Sequence, residues 1–226
     1  MPVGTDGVLL GAWTAAQLHA ADAAPCRLLD VGTGTGLLAL MLAQALPHAL
    51  VEAIEIDPAA AAQARQNVSA SPWADRVTVH ALALADYAAR LAPAEDRFDL
   101  IISNPPFYDA TLKPADAMRA AARHNDALTW EALMRFSALH LAPAGWLSLV
   151  FPTAASGSVL TAATLAGLAP VRLTDVTTRL GKPPKRTLAA FGRRAVAPQR
   201  SALALTDAAG CPTAAYRALT ADYYLW

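Results

Sequence analysis

Between Cys26 and Leu46 the chain passes from a short apolar run, CRLLDV, through three glycines at alternate positions into an apolar stretch with helical spacing, TGLLALMLAQAL. Gly32, Gly34 and Gly36 thus occupy the turn from a buried strand to a helix. Such a turn restricts the fold, because a buried strand followed directly by a helix belongs to an α/β layer arrangement. At the carboxyl ends of strands in open α/β sheets, glycines let a ligand approach the backbone closely.

The rest of the chain repeats that order. LVEAIEI (50–56) reads as a second strand, and Pro58 opens an Ala-rich helix, PAAAAQARQNVSA, at the first-turn position that proline tolerates. RVTVHAL (76–82) alternates as a third strand, FDLIIS (98–103) is a buried fourth and WLSLVF (146–151) a fifth. Between the last two, Asp126 or Thr129 is placed to cap the helix TWEALMRFSALHL, with Pro143 and Gly145 as its stop. The Ala-rich run 154–166 leads to two further strands, at 168–176 and 185–191. The β-then-α alternation predicts a doubly wound, mainly parallel sheet in a single domain spanning 1–226, with a short helical element at 5–22 and a C-terminal tail from 195 to 226.

Hydrophobic residues make up 55% of the 226 and charged residues 16%, which excludes a disordered or fibrous chain. The start, MPVGTDG, has no basic segment followed by an apolar core, and no apolar run reaches the roughly 18 residues of a membrane span, so a cytoplasmic location is expected. Cys26 and Cys211 stand alone, so neither a disulfide framework nor a metal site is expected. Net charge is zero but unevenly spread. Residues 172–200 hold eight bases (Arg172, Arg179, Lys182, Lys185, Arg186, Arg193, Arg194, Arg200) against Asp175, whereas residues 1–171 hold 15 acids and 9 bases. That asymmetry points to a basic face on an acidic body; a solvated strand edge protected by charge explains the same segment.

Three features carry chemistry. Asp30 precedes the first glycine by two residues, and the spacing GxGxG departs from the GxGxxG of dinucleotide sites, which disfavours a nicotinamide dehydrogenase. Glu55 ends the second strand 19 residues after Gly36, where an acid can accept hydrogen bonds from both hydroxyls of a ribose; Asp57, before Pro58, reads as a helix cap. The stretch Asn104-Pro105-Pro106-Phe107 follows the fourth strand. In isolation it is ordinary chain punctuation.

With DVGTGTG and an acidic strand end, the chain resembles the class I methyltransferases that bind S-adenosylmethionine. The resemblance implies a Rossmann-like sheet of seven strands, the last antiparallel, and makes NPPF the signature of methyl transfer to a planar nitrogen. VGTDGVLLGAW (3–13), SPWADRVTVH (71–80), RFDLIISNPPFYD (97–109) and RAAARHNDALTW (119–130) look like the tRNA adenine-N6 methyltransferases that modify valine tRNA beside the anticodon. By that resemblance Asp30, Gly32, Gly34, Gly36, Glu55, Asp6 and Asn104 meet the cofactor, with Asp86 in place of the acid expected where Ala83 stands. Asn104, Pro105, Pro106 and Phe107 are the catalytic candidates. Arg119, Arg123, His124, Lys182, Lys185 and Arg186 are candidates for contact with RNA. S-adenosylmethionine is the expected cofactor, S-adenosylhomocysteine its product, and tRNA the expected partner, without membrane or metal; the oligomeric state stays open, a monomer included. A release-factor glutamine or an rRNA base as acceptor, or an inactive RNA- or protein-binding module, remain as alternatives.

Overall fold

A computed structural model describes residues 4–20, 26–92, 96–105 and 128–225. Eight strands, β1 Arg27–Val31, β2 Leu50–Glu55, β3 Val77–Ala81, β4 Phe98–Ser103, β5 Leu141–Pro152, β6 Ala169–Arg179, β7 Arg186–Gly192 and β8 Gln199–Thr206, form one sheet. Their order is β3-β2-β1-β4-β5-β7-β6-β8. β7 runs antiparallel to both of its neighbours and every other pairing is parallel. The described helices are α1 Thr5–Ala20, α2 Leu37–Ala45, α3 Pro58–Ser69, α4 Leu84–Ala88, α5 Trp130–His140, α6 Ser156–Leu165 and α7 Ala214–Leu219.

Strand alternation builds two cores, one on each face of the sheet. Leu28, Val51, Leu100 and Ile102 face α1, α2, α3 and α7, while Leu29, Ile54, Ile101 and Leu147 face α4, α5 and α6. α1 is buried along most of its length because it lies between α2, β5 and α7. Its Trp13 Nε1 donates to Thr174 Oγ1 on β6 at 2.9 Å, which fixes the helix across the sheet.

Two expectations are corrected. The sheet has eight strands, not seven: the segment from 195 supplies β8, parallel to β6, and then α7. The pattern concealed β8 because an edge strand opening with Gln199, Arg200 and Ser201 buries only Leu203. Pro143 and Gly145 do not stop a helix, since α5 ends at His140 and both lie inside β5. Gly145 is demanded by the neighbouring strand: a Cβ there would meet the Phe98 carbonyl oxygen at 2.8 Å, beside the register shift between Phe98 and Leu100.

Candidate active site

The carboxyl edge of the parallel strands gathers those sequence-derived candidates that lie among the described residues. After β1 the chain turns through Gly32, Gly34 and Gly36, all at positive φ (72°, 59° and 88°). The Gly32 and Thr33 amides donate to the Ile54 carbonyl at 2.9 and 3.0 Å, so the loop is pinned to the end of β2. Asp30 is fully buried beneath it and accepts at Oδ2 from Thr33 Oγ1 at 2.5 Å and from the Ala39 amide at 3.1 Å. Its Oδ1 has no partner among the described residues. Burial raises the Asp30 carboxyl to about 7 against the pull of its hydrogen bonds, and the Glu55 charge adds to the rise.

Glu55 bridges the loop and the next helix. Its Oε2 accepts from the Gly34 amide at 2.8 Å and its Oε1 from the Asp57 amide at 3.0 Å, leaving further acceptor capacity on each oxygen. Asp57 caps α3 through Ala59, in the role its sequence indicated. Ile56, exposed between these two acids, presents an apolar surface at the same edge. Asp86 sits exposed in the first turn of the five-residue α4, directly after β3.

Asn104 and Pro105 follow β4, with Asn104 half-buried and Pro105 buried. Ser103 Oγ donates to the Val31 carbonyl at 2.7 Å, tying the end of β4 to the start of the glycine loop. Pro106, Phe107, Arg119, Arg123 and His124 lie outside the described residues, as does the alternative cap Asp126; Thr129 caps α5, accepting from the Ala132 amide.

Three contributors were not singled out from the sequence. A Cβ on Gly7 would lie 3.2 Å from Leu37 Cδ2, tighter than ordinary packing, and 3.7 Å from Asn104 Nδ2, so this glycine lets α1 pack closely on Leu37 beside Asn104. Its spacing with Gly11, which packs against Met41, is the available signal of close helix contact. Asn67 Nδ2 donates to the Thr35 carbonyl at 2.8 Å and holds the loop from α3, with nothing local to announce it. Ile56, beside Glu55, is the third.

The expected basic face divides, because β7 runs against the sheet. Arg179, Lys182, Lys185 and Arg186 lie at the carboxyl edge; Arg172, Arg193, Arg194 and Arg200 lie toward the amino edge. Lys182 and Lys185 are exposed on the β6–β7 hairpin. Arg186 Nε donates to Asp6 Oδ2 at 2.7 Å, so one expected RNA contact and one expected cofactor contact meet.

A Cβ at Gly32 would meet nothing within 4 Å, so one side of the loop backbone is open. Beside it stand the Glu55 carboxylate, an exposed aliphatic side chain and a buried, partly unpartnered carboxyl. Among the described residues no group of three His, Cys, Asp or Glu side chains is arranged to hold a metal ion, and no helix is long and apolar enough to cross a membrane.

The methyltransferase small domain family model matches residues 14–157. A tRNA1(Val) (adenine(37)-N6)-methyltransferase of Bacteroides thetaiotaomicron is 44% identical over 227 residues, covering 100% of this chain and 91% of the relative. Among solved structures, one described as a predicted O-methyltransferase of Agrobacterium tumefaciens superposes with a TM-score of 0.70 at 24% identity, covering 98% of both chains. A glycopeptide N-methyltransferase complexed with S-adenosylmethionine matches with a TM-score of 0.56 at 14% identity, covering 81% of this chain and 94% of that one. At these identities the two structures speak to the fold alone.

Proposed function

The chain belongs to the methyltransferase small domain family and, within it, to the tRNA1(Val) adenine-N6 methyltransferases, and on that premise we propose that it methylates N6 of an adenine in tRNA, beside the anticodon of a valine tRNA. The observation that carries this reading is the seat of Asn104 and Pro105 at the end of β4, joined through Ser103 to the glycine loop. S-adenosylmethionine, when bound, supplies the methyl group from a positively charged sulfonium.

The residues divide the work. Gly32, Gly34 and Gly36 open the loop backbone, Glu55 offers acceptors to a ribose diol, and Asp30 and Asn67 keep the loop in shape. Asp6 reaches the same edge at the start of α1, and Asp86 offers a carboxylate after β3.

The exocyclic amine of adenine is a poor nucleophile because its lone pair is delocalised into the ring. The side-chain oxygen of Asn104 and the carbonyl of Pro105 accept its two N–H groups and favour the pyramidal geometry that frees the lone pair. Pro105 and Pro106 keep that backbone rigid. Phe107 gives the extruded base a face to stack on, a contact worth about 1–3 kcal/mol. Alignment then supplies most of what the transfer needs, and the surplus proton leaves to water. Lys182, Lys185 and Arg186, with Arg119, Arg123 and His124, take the phosphates of the RNA.

We place the enzyme in the cytoplasm, where its substrate is. The test is transfer of labelled methyl from S-adenosylmethionine to unfractionated tRNA, followed by nucleoside analysis and mapping. N6-methyladenosine beside the anticodon of valine tRNA is expected. An absence of labelled N6-methyladenosine, or label in another nucleoside, overturns the reading.

A further inference from the structure

At the amino edge of the sheet, opposite the active site, five arginines lie on neighbouring segments, none of them ion-paired with a carboxylate among the described residues. Arg97, just before β4, donates from Nη1 to the carbonyls of Leu139 and Leu141; Arg193, just after β7, donates from Nη2 to the same Leu141 carbonyl at 2.9 Å. Two guanidiniums therefore share one acceptor. Burial lowers the Arg193 pKa and the neighbouring Arg97 charge lowers it further, as expected of cations held close together. Arg172 lies over the Trp146 ring at 5.1 Å and donates to Gln199 Oε1, while Arg194 and Arg200 are exposed on the β7–β8 connection and the start of β8.

Two described acids of this edge, Asp96 and Asp99, are engaged elsewhere. Asp96 pairs with Arg27 at 2.8 Å, and Asp99 accepts the amides of Cys26 and Arg27. Among the described residues none of the five arginines forms an ion pair with a carboxylate. Like charges crowded without neutralisation are unfavourable, and a row of phosphates relieves that cost while releasing counterions.

We propose that this amino-edge surface, Arg97, Arg172, Arg193, Arg194 and Arg200, is a second contact for the RNA backbone, distinct from the Lys182–Arg186 hairpin. The proposal rests on the reading of the substrate as tRNA. Reach supports a polymer: β7, the seven residues Arg186–Gly192, separates the two basic groups by about 20 Å at roughly 3.3 Å per residue. A single nucleotide at the active site cannot span that distance, whereas a folded RNA presents phosphates along all of it. The amino edge therefore engages the tRNA body, away from the anticodon.

The test compares binding of full-length valine tRNA and of its isolated anticodon stem-loop across a salt series, using the full-length enzyme. Arg194→Gln/Arg200→Gln spares the arginines that hold Leu139 and Leu141. For full-length tRNA it should weaken affinity about tenfold at low salt and make the log–log salt dependence shallower by about 1–2. Stem-loop affinity should hold, and Arg194→Lys/Arg200→Lys should restore the slope. An unchanged slope for full-length tRNA overturns the proposal and leaves these arginines as protection of an edge strand; equal losses on both RNAs overturn the assignment to the tRNA body. If the wild-type enzyme fails to methylate tRNA at all, what falls instead is the reading of function.

Discussion

Asp6 and Arg186 lie 180 residues apart in sequence and 2.7 Å apart in space. Their contact joins the first turn of α1, beside the glycine that faces Asn104, to the base of the basic hairpin. The first turn of α1 and the basic hairpin are thus mechanically linked. Both side chains are about a third exposed, so the pair contributes only about 0.2–1 kcal/mol to stability. Asp6→Asn and Arg186→Gln should each shift Tm by no more than about 4 °C. Both should impair methyl transfer, Arg186→Gln the more because it also loses a phosphate contact, and the double variant should lose less than the sum of the two, because the bond between them is counted in each. Additive losses in a double-mutant cycle would show that the two act separately.

Asn104→Ala should abolish turnover while cofactor affinity, followed by titration calorimetry, stays within a few fold. The loop that would hold the cofactor is fixed by Ile54, Glu55, Asp30 and Asn67, none of which depends on the Asn104 amide. Parallel loss of binding and turnover would make Asn104 a structural residue.

Gly7 and Gly11 offer a contrast within one helix. A Cβ at Gly11 would meet Met41 Cε and Sδ at 2.7 and 2.8 Å, the far end of a flexible side chain that can move aside. Gly11→Ala should therefore cost little, the gain of up to about 1 kcal/mol in helix propensity offsetting the repacking. Gly7→Val adds two branches beyond a Cβ that would already stand 3.2 Å from Leu37 Cδ2 and 3.7 Å from Asn104 Nδ2, so the added bulk presses on Leu37 and on the Asn104 amide. It should lower kcat at least tenfold, with KM for the cofactor less affected. Equal behaviour of the two variants would remove Gly7 from the site.

These contacts mark what could and could not be read from the sequence. The β1 strand, glycine loop and α2 were legible because strand period, glycine spacing and helix period change within a few residues, and Asp57-Pro58 announced its own cap. β8 was hidden because an edge strand with one buried side chain has almost no periodic signal. Gly145 was misread because its requirement comes from a carbonyl of another strand. Similarly, Gly7 against Asn104, Asn67 on Thr35 and Asp6 on Arg186 are products of packing between distant segments. The candidate site residues were local signals, whereas the residues packed against them were not.

Asp30 makes the site sensitive to pH. Burial raises its carboxyl from 3.8 to about 7, so between about pH 4 and 7 the folded chain holds a proton that the unfolded chain has released. Stability should therefore fall as pH rises through that window and level off above it, and Asp30→Asn should remove this part of the slope. The unpartnered Oδ1 adds a consequence for binding. A cationic ligand seated on the loop favours ionised Asp30, so its binding below about pH 7 should release a proton, and its affinity should rise as pH approaches about 7 and level off above it. Calorimetry in buffers of different ionisation enthalpy measures that release directly. A proton count of zero in the wild type, or the same pH dependence in Asp30→Asn, would uncouple this carboxyl from the ligand.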